Sequence, residues 1–213
     1  MPKQVDHAQR REEVAGALWR LVVRDGVEGA SLRRVAAEAG WSVGSLRHYF
    51  ATQSELLAFA MDLVTERARR RLLALPGDAD APTTAARLLE EVLPLDGERR
   101  AEMQVWLAFT MRALVDPALR GRREQAHANL REPCRSAVLL LGLPEPERET
   151  ERLHALIDGL ALHAILDPHT TTPHRQVELL RHHIDRLAGS SDTRPSHQAS
   201  DAGPRDSPGP RSD

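Results

Sequence analysis

Ser42, Val43, Gly44, Ser45, Arg47 and His48 gather two hydroxyls, a guanidinium and an imidazole into a short stretch with little bulk. Groups of these types reach base edges and phosphates, and small neighbours let a helix backbone come close to a groove. The chemistry they suggest is recognition rather than bond breaking. Leu46 and Phe50, four residues apart, fall on the opposite face and can pin such a helix to its neighbours. The surrounding run SLRRVAAEAGWSVGSLRHYF, residues 31–50, has the layout of two short helices around a glycine turn, with the second helix offered to a major groove.

A different chemistry is suggested by Glu124-x-x-His127 and Glu151-x-x-His154, which share the spacing of di-iron carboxylate bundles. Such a centre also needs bridging carboxylates from two further helices, and the inner stripes there carry Leu, Val and Met. Chance alone supplies nearly one such pair at this content of Glu and His, so two are unsurprising. His163, His169, His174, His182 and His183 come without a cysteine or a carboxylate cluster and are expected on surfaces and in loops. No nucleophile elbow, phosphate-binding glycine loop or nucleotide fingerprint appears, so the sequence implies no enzyme, no cofactor and no metal. A protein-binding module is disfavoured by the polar face of residues 42–48, where apolar anchors would be expected.

The elements that must position these residues are helical. Apolar residues recur at helical spacing along the chain, and no alternating β-branched run is long enough for a strand, so the expected fold is all-α. A first helix is expected to open near Asp6, with Gln9 completing a cap, to bury Val14, Leu18, Leu21 and Val22, and to end at Asp25-Gly26. Ser31 caps a second helix to Ala39, Gly40 makes the turn, and a third runs from Ser42 to Tyr49. Thr52 and Glu55 form a capping box for a fourth helix, reaching Leu75. Further helices are expected at 83–93, 97–115, 117–142, 146–166 and 173–187, with Pro133 kinking or splitting the third of them. In residues 189–213, 13 of 25 are Gly, Pro or Ser, a composition that reads as a disordered tail.

With 29 Lys+Arg against 31 Asp+Glu, the net charge of -2 excludes a generally basic binder. Residues 1–75 hold twelve basic and nine acidic side chains, so the N-terminal part is locally positive. The single cysteine, Cys134, cannot form an internal disulfide and reads as a buried small hydrophobe. The polar N-terminus and the absence of a long apolar run imply a cytoplasmic protein with no membrane partner.

Residues 10–57 resemble the DNA-binding domain of the TetR family of bacterial regulators. Gly26, Ser31, Ala36, Ala39-Gly40, Gly44-Ser45-Leu46, Phe50 and Glu55-Leu56-Leu57 carry the resemblance. Three positions depart from the pattern. Arg47 stands where the family has a phosphate-contacting Tyr, Gln53 where it often has Lys, and Trp41 where it has a smaller aliphatic residue, here expected to pack on the fourth helix. The resemblance implies a double-stranded DNA operator contacted by Ser31, Arg33, Ser42, Val43, Gly44, Ser45, Arg47, His48, Tyr49 and Thr52. Arg47 could hold a phosphate or reach a guanine.

It further implies an N-terminal three-helix DNA-binding domain over 1–52 and a helical regulatory and dimerisation domain over 53–188 that takes a small-molecule effector and pairs as a homodimer. Apolar residues on several faces of 153–168, with Val177, Leu180, Ile184 and Leu187, are the candidate interface, while Met103, Trp106, Phe109, Thr110 and His127 are the candidate effector contacts. Residues 93–109 are similar to the subgroup related to the choline-responsive repressor of betaine synthesis. Beyond residue 75 the only aromatic rings of the Trp, Phe or Tyr type are Trp106 and Phe109, few for a cage around a quaternary ammonium. The function implied is that of a ligand-responsive repressor acting as a homodimer on a pseudo-palindromic operator.

Overall fold

Local caps and glycine turns set the first four helices. In the computed structural model, which describes residues 2–77 and 79–192, α1 (Pro2–Asp25) stops at Gly26, whose φ of 74° is cheap only for glycine. A 3₁₀ turn over Val27–Gly29 leads to α2 (Leu32–Glu38), where the Ser31 hydroxyl accepts from the Arg34 amide at 3.4 Å. Gly40, at φ 72°, closes α2: its amide reaches the Ala37 carbonyl at 3.2 Å and the Trp41 amide reaches that of Ala36 at 2.8 Å. That bond pair is the left-handed helix stop a glycine makes possible. α3 (Val43–Arg47) follows directly, and α4 (Gln53–Leu73) opens on Thr52, which accepts from the Glu55 amide at 3.1 Å. Glu55 closes its half of the box on the Ala51 amide at 2.8 Å, one residue before the cap.

The remainder is a bundle of α5 (Ala81–Glu90), α6 (Gly97–Val115), α7 (Arg120–Leu140), α8 (Pro146–Leu166) and α9 (Pro173–Asp192). Asp80 and Asp96 cap α5 and α6 through the Thr83 and Arg99 amides, each at 2.8 Å. The fold is all-α, with no strand among the described residues.

Several expected boundaries move. α1 begins at Pro2, so Asp6 lies inside the helix rather than at its cap. α5 starts at Ala81 because Asp80 takes the capping position. α7 runs unbroken through Pro133, which is buried, so packing holds the helix together where one backbone bond is missing. α9 continues to Asp192, past the expected start of the tail at 189; extending an established helix by a few residues avoids the cost of nucleation. Residues 193–213, where the rest of that tail was expected, lie outside the described residues.

Two apolar cores hold the chain. The first joins α1–α4 to Ala101, Val105, Phe109 and Ala113 of α6, with Leu119 and Ala126 at its edge. The second joins α5, α7, α8 and α9 through Leu89, Cys134, Val138, Ile157, Leu180 and Ile184. Burying each large side chain contributes roughly 1.5–3 kcal/mol. Leu180 and Ile184, expected on a subunit interface, therefore serve the interior of one chain, while Val177 and Leu187 are half-buried and Leu166 is 68% exposed.

Candidate nucleic-acid interface and effector cavity

Caps that begin α3 also arrange its outer face. The Ser42 hydroxyl accepts from the Ser45 amide at 3.0 Å, and the two serine hydroxyls lie 2.8 Å apart. Leu46 and Phe50 are buried, which turns Ser42, Gly44, Ser45, Arg47 and His48 to the exposed side. A Cβ at Gly44 would come no closer than 3.8 Å to any side chain, the Ser42 hydroxyl being the nearest, so nothing inside the chain requires a glycine there. Val43 and Tyr49 are half-buried, with Tyr49 tilted against Trp41 at 5.5 Å between centroids. Trp41 thus stacks on Tyr49, just past the end of α3, with the Arg10 guanidinium 5.8 Å over its ring, and it packs against the core that α4 shares.

The charges around this face are sorted by pairing. Glu38 takes Arg20 at 2.9 Å and Arg24 at 3.4 Å, and Asp25 takes Arg24 and Arg34. Those arginines hold both carboxyls below their usual range, through hydrogen bonds from Arg20 to Glu38 and from Arg24 to Asp25 first of all. Arg33 on α2 and Arg47 on α3 are exposed and make no ion pair within the described residues. Ser31 and Thr52 are each tied into the cap of the helix they start, and Thr52 is exposed at the start of α4. Gln53 donates to the Ala30 carbonyl at 3.0 Å, which ties α4 to the loop before α2.

At the other end of α4 lies a cavity of about 390 Å³, walled by Met61, Val64 and Leu72 of α4, Met103 and Trp106 of α6, and Leu130, Pro133 and Ile157 of α7 and α8. Of the expected effector contacts, Met103 and Trp106 line it. Phe109 is fully buried and borders a smaller neighbouring cavity of about 180 Å³. Thr110 lines neither, and His127 stacks on the buried His154 at 4.6 Å between ring centroids, outside the wall.

What the sequence did not disclose is the polar part of the wall. Arg71 grips Glu102 with two bonds, of 2.6 and 2.8 Å, and reaches Glu91 at 3.0 Å, while Arg99 pairs with Asp96 at 2.8 Å. Glu102 and Asp158 each interrupt an apolar stripe, a signal visible in the sequence, although their partners lie on other helices. Asp158 faces His154 Nε2 at 3.7 Å; burial raises its pKa and lowers that of the imidazole. Cys134 donates to the Leu130 carbonyl at 3.6 Å, and burial pushes its thiol up to about 12, so it carries no thiolate at neutral pH. The described residues contain no group of three or more His, Cys, Asp or Glu placed to hold a metal, and no helix among them is long and apolar enough to cross a membrane.

Comparison with known proteins reaches both halves. Residues 16–59 match the family described as bacterial regulatory proteins, tetR family, and residues 81–189 match the BetI-type transcriptional repressor C-terminal family. The chain is 40% identical over 195 residues to the HTH-type transcriptional regulator PksA of Bacillus subtilis (strain 168), covering 88% of this chain and 94% of that protein. It is 30% identical to the HTH-type transcriptional regulator BetI of Burkholderia mallei (strain NCTC 10229), over 88% of this chain and 97% of the other. The crystal structure of a transcriptional regulator from Rhodococcus sp. Rha1 superposes with a TM-score of 0.74 at 32% identity, covering 84% of this chain and 96% of that one.

Proposed function

The chain belongs to the TetR family of transcriptional regulators, and from that premise we propose that it is an effector-released repressor that binds a pseudo-palindromic operator as a homodimer. Residues 1–52 read DNA, residues 53–188 sense and dimerise, and α4 belongs to both jobs. The observation that carries this reading is the exposed face of α3, whose serine hydroxyls are held by the helix cap and whose guanidinium is left without an acidic partner among the described residues. Arg47 and Ser45 approach base edges, His48 and Val43 flank them, and Gly44 lets the backbone come close. Arg33 and Tyr49 take phosphates, and the open amides at the start of α4, beside Thr52, offer another phosphate a helix N-terminus. Ser31 acts through the cap it makes for α2.

The effector occupies the cavity behind α4. A ligand there moves α4 against α6 and changes the separation of the two DNA-reading heads in a dimer. Effector and operator then weaken each other by the same factor. The exposed Leu166 with the half-buried Leu156, Gly159 and Leu162 of α8 supplies the apolar patch for the second subunit.

The test is fluorescence anisotropy with labelled DNA from upstream of the chain's own gene, unlabelled random duplex as competitor, and two salt concentrations. Tight binding that resists competitor is expected, and Ser45→Ala should weaken it while analytical ultracentrifugation still shows a dimer. Equal, salt-sensitive binding to both DNAs would overturn the operator reading.

A further inference from the structure

We propose that the effector is a protonated amine on an apolar body, anchored by the Asp158 carboxylate; this deepens the reading of the cavity as the effector site and rests on it. The argument begins with which charges of the wall are already matched. Arg69 pairs with Glu66 at 2.9 Å, Arg71 with Glu102 and Glu91, and Arg99 with Asp96 and Glu91. An anionic ligand would have to take one of these arginines from its carboxylate, and Glu102, only 7% exposed at its side chain, could not be left alone.

Asp158 is different. The charged or titratable groups that bear on it are His154, from its own helix, and His127 and Cys134 from α7, and burial favours the neutral forms of the His154 imidazole and the Cys134 thiol. A half-buried carboxylate beside a neutral imidazole, in a wall where apolar residues outnumber polar ones, calls for a cation.

The kind of cation follows from hydrogen-bond acceptors on the same side. Pro133, inside α7, has no N–H to give the carbonyl of Asn129 four residues before it, and both residues line the cavity. The Asp158 carboxylate and the Asn129 carbonyl are acceptors that an ammonium, with up to three N–H donors, can satisfy. A quaternary ammonium can satisfy neither of them and relies on aromatic faces, of which this wall offers Trp106 alone. A cavity of about 390 Å³ leaves room for the apolar body.

Isothermal titration of the full chain with three probes of one shape tests the proposal: 1-naphthylmethylammonium, 1-naphthylmethanol and trimethyl(1-naphthylmethyl)ammonium. The primary ammonium is expected to bind at least tenfold more tightly than either of the others. Asp158→Asn, checked by thermal melting, is expected to remove that preference while leaving the alcohol unchanged. The wild-type ranking decides by itself if the variant does not fold. An alcohol or a trimethyl compound that binds within threefold of the primary amine overturns the amine proposal and leaves the cavity as the effector site. Failure of all three probes to bind at millimolar concentration overturns the cavity reading as well.

Discussion

The two ends of α4 treat polarity in opposite ways. Around α3 the stabilising bonds are local, Ser42 to Ser45 and Thr52 to Glu55, and they leave Arg33, Arg47 and His48 open to solvent. Around the cavity the bonds are long-range: Arg71 and Glu102 are 31 residues apart, and Arg71 and Glu91 are 20 apart. A surface that will meet a polyanion can leave its cations to be matched by the partner, because water solvates them in the meantime. A wall that will meet a small apolar molecule must match its charges from within, since water is excluded when the ligand enters. Two carboxylates of the wall have no arginine partner among the described residues: Glu132, which is exposed to water, and Asp158, which is half-buried and is therefore the one where an entering cation would matter.

The contrast is broken most severely at Arg71. Arg71→Ala strands Glu102 among apolar neighbours and is expected to cost about 3 kcal/mol, the lower end for a stranded buried charge because Arg71 itself is 28% exposed at the side chain. Urea denaturation reads this directly. The double variant Arg71→Met with Glu102→Leu should recover most of the loss, since an apolar pair of similar volume needs no matching. A double variant as unstable as the single one would mean that the pair holds α4 on α6 by geometry rather than by charge.

Arg47→Ala asks the converse question at the other end. Stability should change by less than about 0.5 kcal/mol, as for other exposed sites without a partner. Operator affinity should fall by about 1–3 kcal/mol if Arg47 grips a base, with specificity relaxed at one position. A uniform loss over all sequences, with the salt slope smaller by about one, would assign it to a phosphate instead. Unchanged operator binding would remove α3 from the interface.

Ser42→Ala lies between these cases. It removes the cap of α3 and the partner of the Ser45 hydroxyl, and should cost about 1 kcal/mol in stability along with part of the DNA affinity. Loss of affinity with full stability would show that Ser42 acts on DNA and not through the helix it starts.

How much of this was legible in the sequence follows the same division. Ser31, Gly40, Ser42 and Thr52 act within a few residues of themselves, so their caps and turn could be read from neighbouring letters, and the buried stripe through Leu46 and Phe50 followed from helical spacing. The cavity could not be read this way. Met103 and Trp106 were found because they share a helix face, but Phe109, one turn further along that face, is consumed by the first core, and His127 stacks outside the wall. Asp158 and Glu102 are polar residues within apolar stripes, but whether each is matched depends on helices far away in sequence. Trp41 packs on Tyr49 because α3 follows the Gly40 turn so closely, a tertiary detail that residue type alone does not specify.

The smallest effect tests the comparison most sharply, because its two readouts should move in opposite directions. Gly44 sits on the exposed face of α3, in a helix, where alanine is favoured over glycine by up to about 1 kcal/mol. A Cβ there meets nothing closer than the Ser42 hydroxyl at 3.8 Å, so the folded chain tolerates it. Gly44→Ala should therefore raise the denaturation midpoint slightly while weakening operator binding about tenfold, since the added methyl would occupy space that the groove needs. A variant that gained stability and kept its operator affinity would place the helix backbone farther from the DNA than an α3 reading head requires, and contact would then fall to the longer arms of Arg47 and Arg33 alone.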